Sequence, residues 1–370
     1  MKLTVLQENL SEALSVASRF VSSRPQLPIL SNFFLQADKN ELKISATNLE
    51  IGINYHCGAK IEKEGKTTVL AKTFSEFVSS LPADKINLSL KKEVLKIDCH
   101  HFKADLPTTP VGNFPAISIK VSQKISLPYQ TFSQAMAKVI FAASSDESRP
   151  VLSGVHFQFD GSQCLLSATD GYRLSFQKIT LEKKYPKLDF IVPAVVLTEL
   201  SRIKFGDKKE EFELGLSDEE KQAVFFLPRA EFTSRLLEGE YPKIEEIIPK
   251  DKKTTVIVDR EEFLHLIRTA AIFARDAANI VKLDFNKNQV VISANAPSLG
   301  GSQNRMAVQM EGKDQKMAFN FHFLLDFLQA VDSDEIQIEL NESTKPVVFK
   351  LPQEKEFLHI IMPVRLQEEA

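Results

Sequence analysis

A threefold internal repeat constrains this chain more than any other feature of its sequence. The segments LKISATNLEIGI (42–53), LLSATDGYRLSF (165–176) and VVISANAPSLGG (290–301) share a Ser-Ala pair. Its serines, Ser45, Ser167 and Ser293, lie 122 and 126 residues apart in a chain of 370, each time close to a third of the length. Repetition at a fixed period signals copies of one structural unit. The flanks repeat too. Before each pair runs an alternating apolar stretch, a polar turn and a second alternating stretch, the pattern of a hairpin. The turns are Asp38-Lys39-Asn40, Asp160-Gly161-Ser162 and Asn286-Lys287-Asn288, residues that accept turn geometry.

Further upstream, MKLTVLQENLSEALSVASRFV, QKISLPYQTFSQAMAKVIFAA and TTVIVDREEFLHLIRTAAIFA each read as a strand followed by an amphipathic helix. Leu10, Phe132 and Phe263 hold equivalent early helical positions. A second round follows in each third: TTVLAKTFSEFVSSLP, FIVPAVVLTELSRI and KMAFNFHFLLDFLQAV are again strand then short helix, with further strands behind them. Each third therefore holds two helices on antiparallel strands, an α+β architecture. Polar runs such as PKDKKTT (249–255) place the domains at 1–122, 123–252 and 253–370.

The middle copy packs Ser167, Thr169, Asp170, Tyr172 and Arg173 together, which resembles a nucleophile, an acid and a cation at one active site. The other copies argue against that. The third has Asn295, Ala296 and Pro297 where the second has Thr169, Asp170 and Gly171, so chemistry needing an Asp and an Arg has no parts there. The Ser-Ala element reads as architecture, its serine side chain bonding its own turn. Metal ligation finds no support: His100 and His101 are adjacent in a strand reading, where neighbours face opposite ways, and no HxxxH, CxxC or HExxH occurs. There is no phosphate loop, and Gly300-Gly301 reads as a turn. DEEK (218–221) reads as a hairpin turn and EKK (182–184) as a loop. No catalytic residue, cofactor or metal is expected.

Composition narrows the partners. The net charge of −3 predicts no whole-chain attraction to nucleic acid or an anionic membrane, but a local basic surface is enough to hold a phosphate backbone. Cys57, Cys99 and Cys164 form neither a disulfide framework nor a metal spacing, which fits a reducing compartment. With no signal-peptide pattern at the amino terminus and no long apolar run, the expected location is the cytoplasm. The apolar end, FLHIIMPVRL, is either a last core strand or the wall of a groove.

The segments RPQLPILSNF (24–33), SRPVLSGVHF (148–157), SATDGYRLS (167–175), LLEGEYPKIEEIIP (236–249) and IMPVRL (361–366) together resemble the bacterial replicative sliding clamp, the beta subunit of the DNA polymerase III holoenzyme. The resemblance runs the full length. It implies three similar clamp domains and a head-to-tail homodimer closing into a ring around duplex DNA. The function it implies is DNA replication support: a processivity factor that tethers the replicative polymerase and is not itself a catalyst. Implied partners are double-stranded DNA without regard to sequence, the polymerase catalytic subunit, the clamp loader, and other polymerases and repair proteins that dock through short linear motifs.

The resemblance also implies site residues. The partner-peptide pocket would be lined by Leu152, Thr169, Gly171, Tyr172, Arg173, Leu174, Pro242, Ile247, Asn320, Thr344 and Pro346, with Met362, Pro363, Val364, Arg365 and Leu366 closing it. Arg173 would hold a partner's carbonyl or carboxylate. Basic residues on or near helices, Arg24, Lys72, Lys138, Arg202, Lys204, Arg268 and Arg275, would face DNA, centring it without reading bases. Ile272 and Phe273 would lie at the dimer interface. On the residues alone, a DNA-directed enzyme or a three-domain binding scaffold remains the competing class.

Overall fold

The computed structural model describes residues 1–22, 27–146, 148–202, 211–249 and 251–365. Among them are six α-helices: α1 Gln7–Ala17, α2 Ala71–Ser80, α3 Tyr129–Ala137, α4 Ala194–Ser201, α5 Arg260–Ala274 and α6 Phe321–Ala330. Two fall in each third of the sequence, as the repeat predicts. The equivalent positions Leu10, Phe132 and Phe263 are all buried. Apolar residues at three- and four-residue spacing give each helix one face to bury; in α5 it is Phe263, Ile267, Ala270, Ala271 and Ala274. Asp259 caps α5 by accepting from the Glu262 amide at 2.7 Å.

The chain forms two compact units, Met1–Tyr129 with Lys209–Leu236, and Gln130–Lys208 with Leu237–Ala370. The first is built on a 13-stranded sheet. Strand Asn32–Asp38 pairs with Glu41–Thr47, which pairs with Ile51–Gly58. The last of these then bonds strand Ala230–Arg235, with Ser234 opposite Ile51. Strands from the middle third thereby extend the sheet of the first third, so the spatial unit does not end where the sequence repeat does. Pairing edge to edge satisfies backbone groups that each sheet alone leaves bare.

The second unit holds a 7-stranded and a 4-stranded sheet. In the larger, strand Gly154–Thr169 pairs with Arg173–Pro193, which pairs with Glu354–Ile361 in the register Arg173 opposite Ile361. Its core includes Phe263, Phe285, Phe319, Phe327 and Phe349. The apolar end of the chain thus serves two purposes: Phe357, Leu358, Ile360 and Ile361 are buried strand residues, and Met362 to Arg365 leave the sheet partly or fully exposed.

Two of the three expected turns hold, with Lys39, Lys287 and Asn288 at φ of 51°, 44° and 62°. The third is corrected: Asp160, Gly161 and Ser162 belong to strand Gly154–Thr169, where Gly161 at φ 60° pairs with Tyr185 and the register shifts on either side of it. Residues 218–221 do turn between strands Glu211–Ser217 and Gln222–Leu227. Three other local readings are corrected. His100 and His101 form the turn after strand Val94–Cys99, His100 at φ 52°, instead of lying in a strand. Residues 182–184 are exposed but belong to strand Arg173–Pro193, and Gly300-Gly301 opens strand Gly300–Ala307. Among the described residues no helix is long and apolar enough to cross a membrane.

Candidate functional site

The turn after the second Ser-Ala pair is the best-defined loop of the candidate site. Thr169 donates its hydroxyl to the Arg173 carbonyl at 2.6 Å and accepts the Gly171 amide at 3.0 Å. One Asp170 oxygen accepts both the Tyr172 and Arg173 amides, each at 2.9 Å. Gly171 sits at φ 91°, a conformation costly for most L-residues. Every bond that shapes the turn comes from Thr169 and Asp170, and the side chain thrust outward is Tyr172, 65% exposed. The Ser-Ala serine takes no part. Ser45 donates instead across its sheet to Asn54 at 2.7 Å, and the buried Ser167 hydroxyl has no hydrogen-bond partner. The turn-bonding role expected of the serine belongs to the threonine two residues on.

The carboxyl-terminal tail lies against this turn. The Met362 amide donates to the Tyr172 carbonyl, and the Val364 amide to the Ala318 carbonyl, both at 2.8 Å. Met362, Pro363 and Val364 are half-buried and Arg365 is exposed. Asn320 accepts the His322 amide at 3.0 Å and so caps α6. Beneath, Leu174 joins Ile244, Val348, Leu358 and Ile360 in a buried cluster, with Leu165, Phe176 and Ile248 packed on it. Leu174 is therefore floor, already removed from water, and Leu152 is buried too, whereas Tyr172, Pro242 and Ile247 are exposed. Thr344 is exposed and Pro346 half-buried in the loop before strand Val347–Leu351. None of the bonds just named involves Leu152, Thr344 or Pro346. Leu366 lies outside the described residues.

Arg173 departs from its expected role. Its Nε donates to Asp170 at 3.0 Å and its Nη1 to Asp326 at 2.6 Å, and the side chain is only 10% exposed. Its guanidinium also lies over the rings of Phe323 and Phe141 at 4.8 and 5.6 Å. An arginine so enclosed holds the protein's own parts. Beside it, His359 is fully buried and stacked on Phe327 at 4.9 Å; burial, and then Arg173, keep it well below the ordinary histidine pKa. Sequence reasoning did not find Asp326, Phe323 or His359. It also missed Tyr241, which stacks on His156 at 4.5 Å and whose hydroxyl burial pushes above the ordinary tyrosine pKa.

The basic residues sort by what they touch. Lys72 on α2, and Arg268 and Arg275 on and just after α5, are exposed. Arg202 pairs with Glu199 at 2.6 Å in the turn closing α4. Lys138 is withdrawn from the DNA-facing set: it is ion-paired with Glu354, 15% exposed, and its Nζ lies 5.8 Å from the Phe357 ring. Arg24 and Lys204 lie outside the described residues. Ile272 is 58% exposed, whereas Phe273 is half-buried against the core. Among the described residues no histidine, cysteine, aspartate and glutamate groups are arranged to hold a metal ion.

This fold has close counterparts. Three domain descriptions of the DNA polymerase III beta subunit match in order: N-terminal over residues 1–118, central over 126–243 and C-terminal over 245–365. The chain belongs to the DNA polymerase III beta subunit family. It is 31% identical to the beta sliding clamp of Synechocystis sp. over 99% of this chain and 100% of that protein. With the beta sliding clamp of Bacillus subtilis the identity is 30% over the same shares. The crystal structure of the DNA polymerase sliding clamp from Bacillus subtilis superposes with a TM-score of 0.92 at 28% identity, covering 99% of this chain and 100% of that one. The three repeats are therefore three clamp domains, and the chain acts in DNA replication as a sliding clamp, a non-catalytic processivity subunit of a DNA polymerase.

Proposed function

We propose that this clamp closes as a head-to-tail homodimer around duplex DNA in the cytoplasm, and that Thr169–Arg173 with the carboxyl-terminal tail is its dock for partner peptides. The domains are taken as 1–122, 123–252 and 253–370. The observation that carries the docking reading is the junction of turn and tail: Tyr172 is held outward by Gly171 and Asp170, and its carbonyl is bonded to Met362. Exposed Tyr172 and Ile247 and half-exposed Met362 and Val364 offer apolar surface for a leucine or phenylalanine. Each such anchor is worth about 1.5–3 kcal/mol when fully buried. Weak peptides suffice, because enclosure on DNA raises their effective concentration. The polymerase catalytic subunit, clamp loader, other polymerases and repair proteins would take turns on the same dock.

Open edges support the dimer. Strand Gly300–Ala307 ends its sheet, and strand Phe102–Thr109 bonds its second neighbour only through Thr108 and Thr109. These two edges, one in the last third and one in the first, are among several open ones, and head-to-tail pairing needs one from each of those thirds. Exposed Lys72, Arg268 and Arg275 would meet phosphates loosely, so that topology retains the DNA. After loading, a nicked circle should keep the protein and a linear duplex should lose it from its ends; equal lifetimes on the two contradict the ring. Ile272→Glu should give folded monomers by light scattering, and a persistent dimer would remove Ile272 from the interface.

A further inference from the structure

The docking turn carries an ionic latch that its own shape does not require. The first third contains the same turn without it. There Thr47 donates to the Ile51 carbonyl at 2.8 Å and accepts the Leu49 amide at 3.0 Å, and Asn48 accepts the Glu50 and Ile51 amides. Ile51 stands where the second turn has Arg173. The turn therefore forms with no arginine, and the bonds from Arg173 to Asp326 and over Phe323 do something else. They tie the turn to α6. The strand leading into α6 holds the tail through the Ala318 carbonyl, and Asn320 caps the helix. One continuous segment thus grips both walls of the dock, the turn through Asp326 on α6 and the tail through Ala318 on the strand Gln315–Asn320 before it.

We propose that Asp326 is a positioning residue of the peptide dock: through Arg173 it sets the turn that bears Tyr172 against the tail. The inference rests on the docking reading above. Asp326 is 43% exposed, so its replacement leaves no buried cavity. The bond to Arg173 is charge-assisted, and such bonds are stronger than neutral ones. Its loss frees the turn without removing any apolar contact surface.

The test compares Asp326→Ala, Asp326→Asn and Asp326→Glu with the wild type. The probe is a short fluorescein-labelled synthetic peptide carrying leucine and phenylalanine anchors. Affinity should fall roughly five- to tenfold in Asp326→Ala, less in Asp326→Asn, and recover in Asp326→Glu. Dimerisation and melting temperature should stay near wild type. The chain contains no tryptophan, so Tyr172→Trp adds a lone reporter whose anisotropy should drop when Asp326→Ala is combined with it. Wild-type affinity in Asp326→Ala, unchanged anisotropy, or no rescue by glutamate overturns the proposal while leaving the dock intact. A wild-type protein that binds no such peptide overturns the docking reading and the proposal with it.

Discussion

The turns Thr47–Ile51 and Thr169–Arg173 are one backbone with two sets of outward side chains. Each is shaped by a threonine and an Asn or Asp, and each is bonded by the end of a following strand. Arg235 donates to the Glu50 carbonyl at 2.9 Å as Met362 does to that of Tyr172 at 2.8 Å. The differences lie in what surrounds this frame. Behind Arg235 the Leu236 amide donates to the Lys221 carbonyl; behind Met362 the Val364 amide donates to that of Ala318. The first turn borders a cavity of about 340 Å³ that also includes Glu220, Gln222 and Arg235, a mostly polar lining. The second presents Tyr172 beside Ile247, Met362 and Val364. The comparison teaches that the repeat supplies a scaffold, and that docking comes from residues the repeat does not share.

The largest expected effect comes from deleting Met362 to Ala370, which removes the feature that only the second turn has. Peptide binding should be lost, while dimerisation and retention on circular DNA survive, because the buried strand ends at Ile361. Binding that survives the deletion breaks the comparison. Next in size, Thr47→Ala and Thr169→Ala should each cost about 1–3 kcal/mol in denaturant melts, since each removes two bonds from a buried hydroxyl. Only Thr169→Ala should also weaken the peptide. Equal losses of affinity would show that the effect is global.

The strands behind the turns should answer pH in opposite senses. His56, between Glu231 at 3.0 Å and Glu41 at 3.1 Å, has its pKa raised, chiefly by the hydrogen bond to Glu231. Its stabilisation is complete below the ordinary histidine value and is lost as pH rises through the raised one. His359, depressed by burial, stabilises above the ordinary value and loses that contribution as pH falls. His56→Gln should therefore flatten the stability profile on its alkaline side, and His359→Phe on its acid side; unchanged profiles would contradict both assignments. The smallest effect is backbone strain. Gly171→Leu should cost about 1 kcal/mol, because its φ is 91° and an added Cβ meets only Arg149 at 3.6 Å. Leu49 already carries φ 80° in the first turn, so Leu49→Gly should be near neutral, strain relief offsetting chain entropy.

The six helices, most hairpin turns and the order of the motifs were legible because periodicity and turn chemistry are local. The site was legible in its loop and tail, through the family resemblance, and less so in the roles. Arg173 was read as a donor to partners because Asp326 lies 153 residues away in sequence. Lys138 reads as a DNA-facing charge from its segment alone, because its pair, Glu354, is 216 residues distant. Ser45 and Ser167 look alike in sequence, yet Ser45 faces Asn54 across the sheet and Ser167 faces Phe176. Pairings made by folding carry no mark in a local segment.

The decisive experiment is a peptide titration after removing the exposed apolar side chain of each turn, Tyr172 in the second and Leu49 in the first. Fluorescence anisotropy would follow the labelled peptide against wild type, Tyr172→Ala and Leu49→Ala under one set of conditions. Kd should rise at least tenfold, about 1.4 kcal/mol, for Tyr172→Ala and stay unchanged for Leu49→Ala. Equal affinity in all three proteins, or a greater loss from Leu49→Ala, would contradict the docking reading.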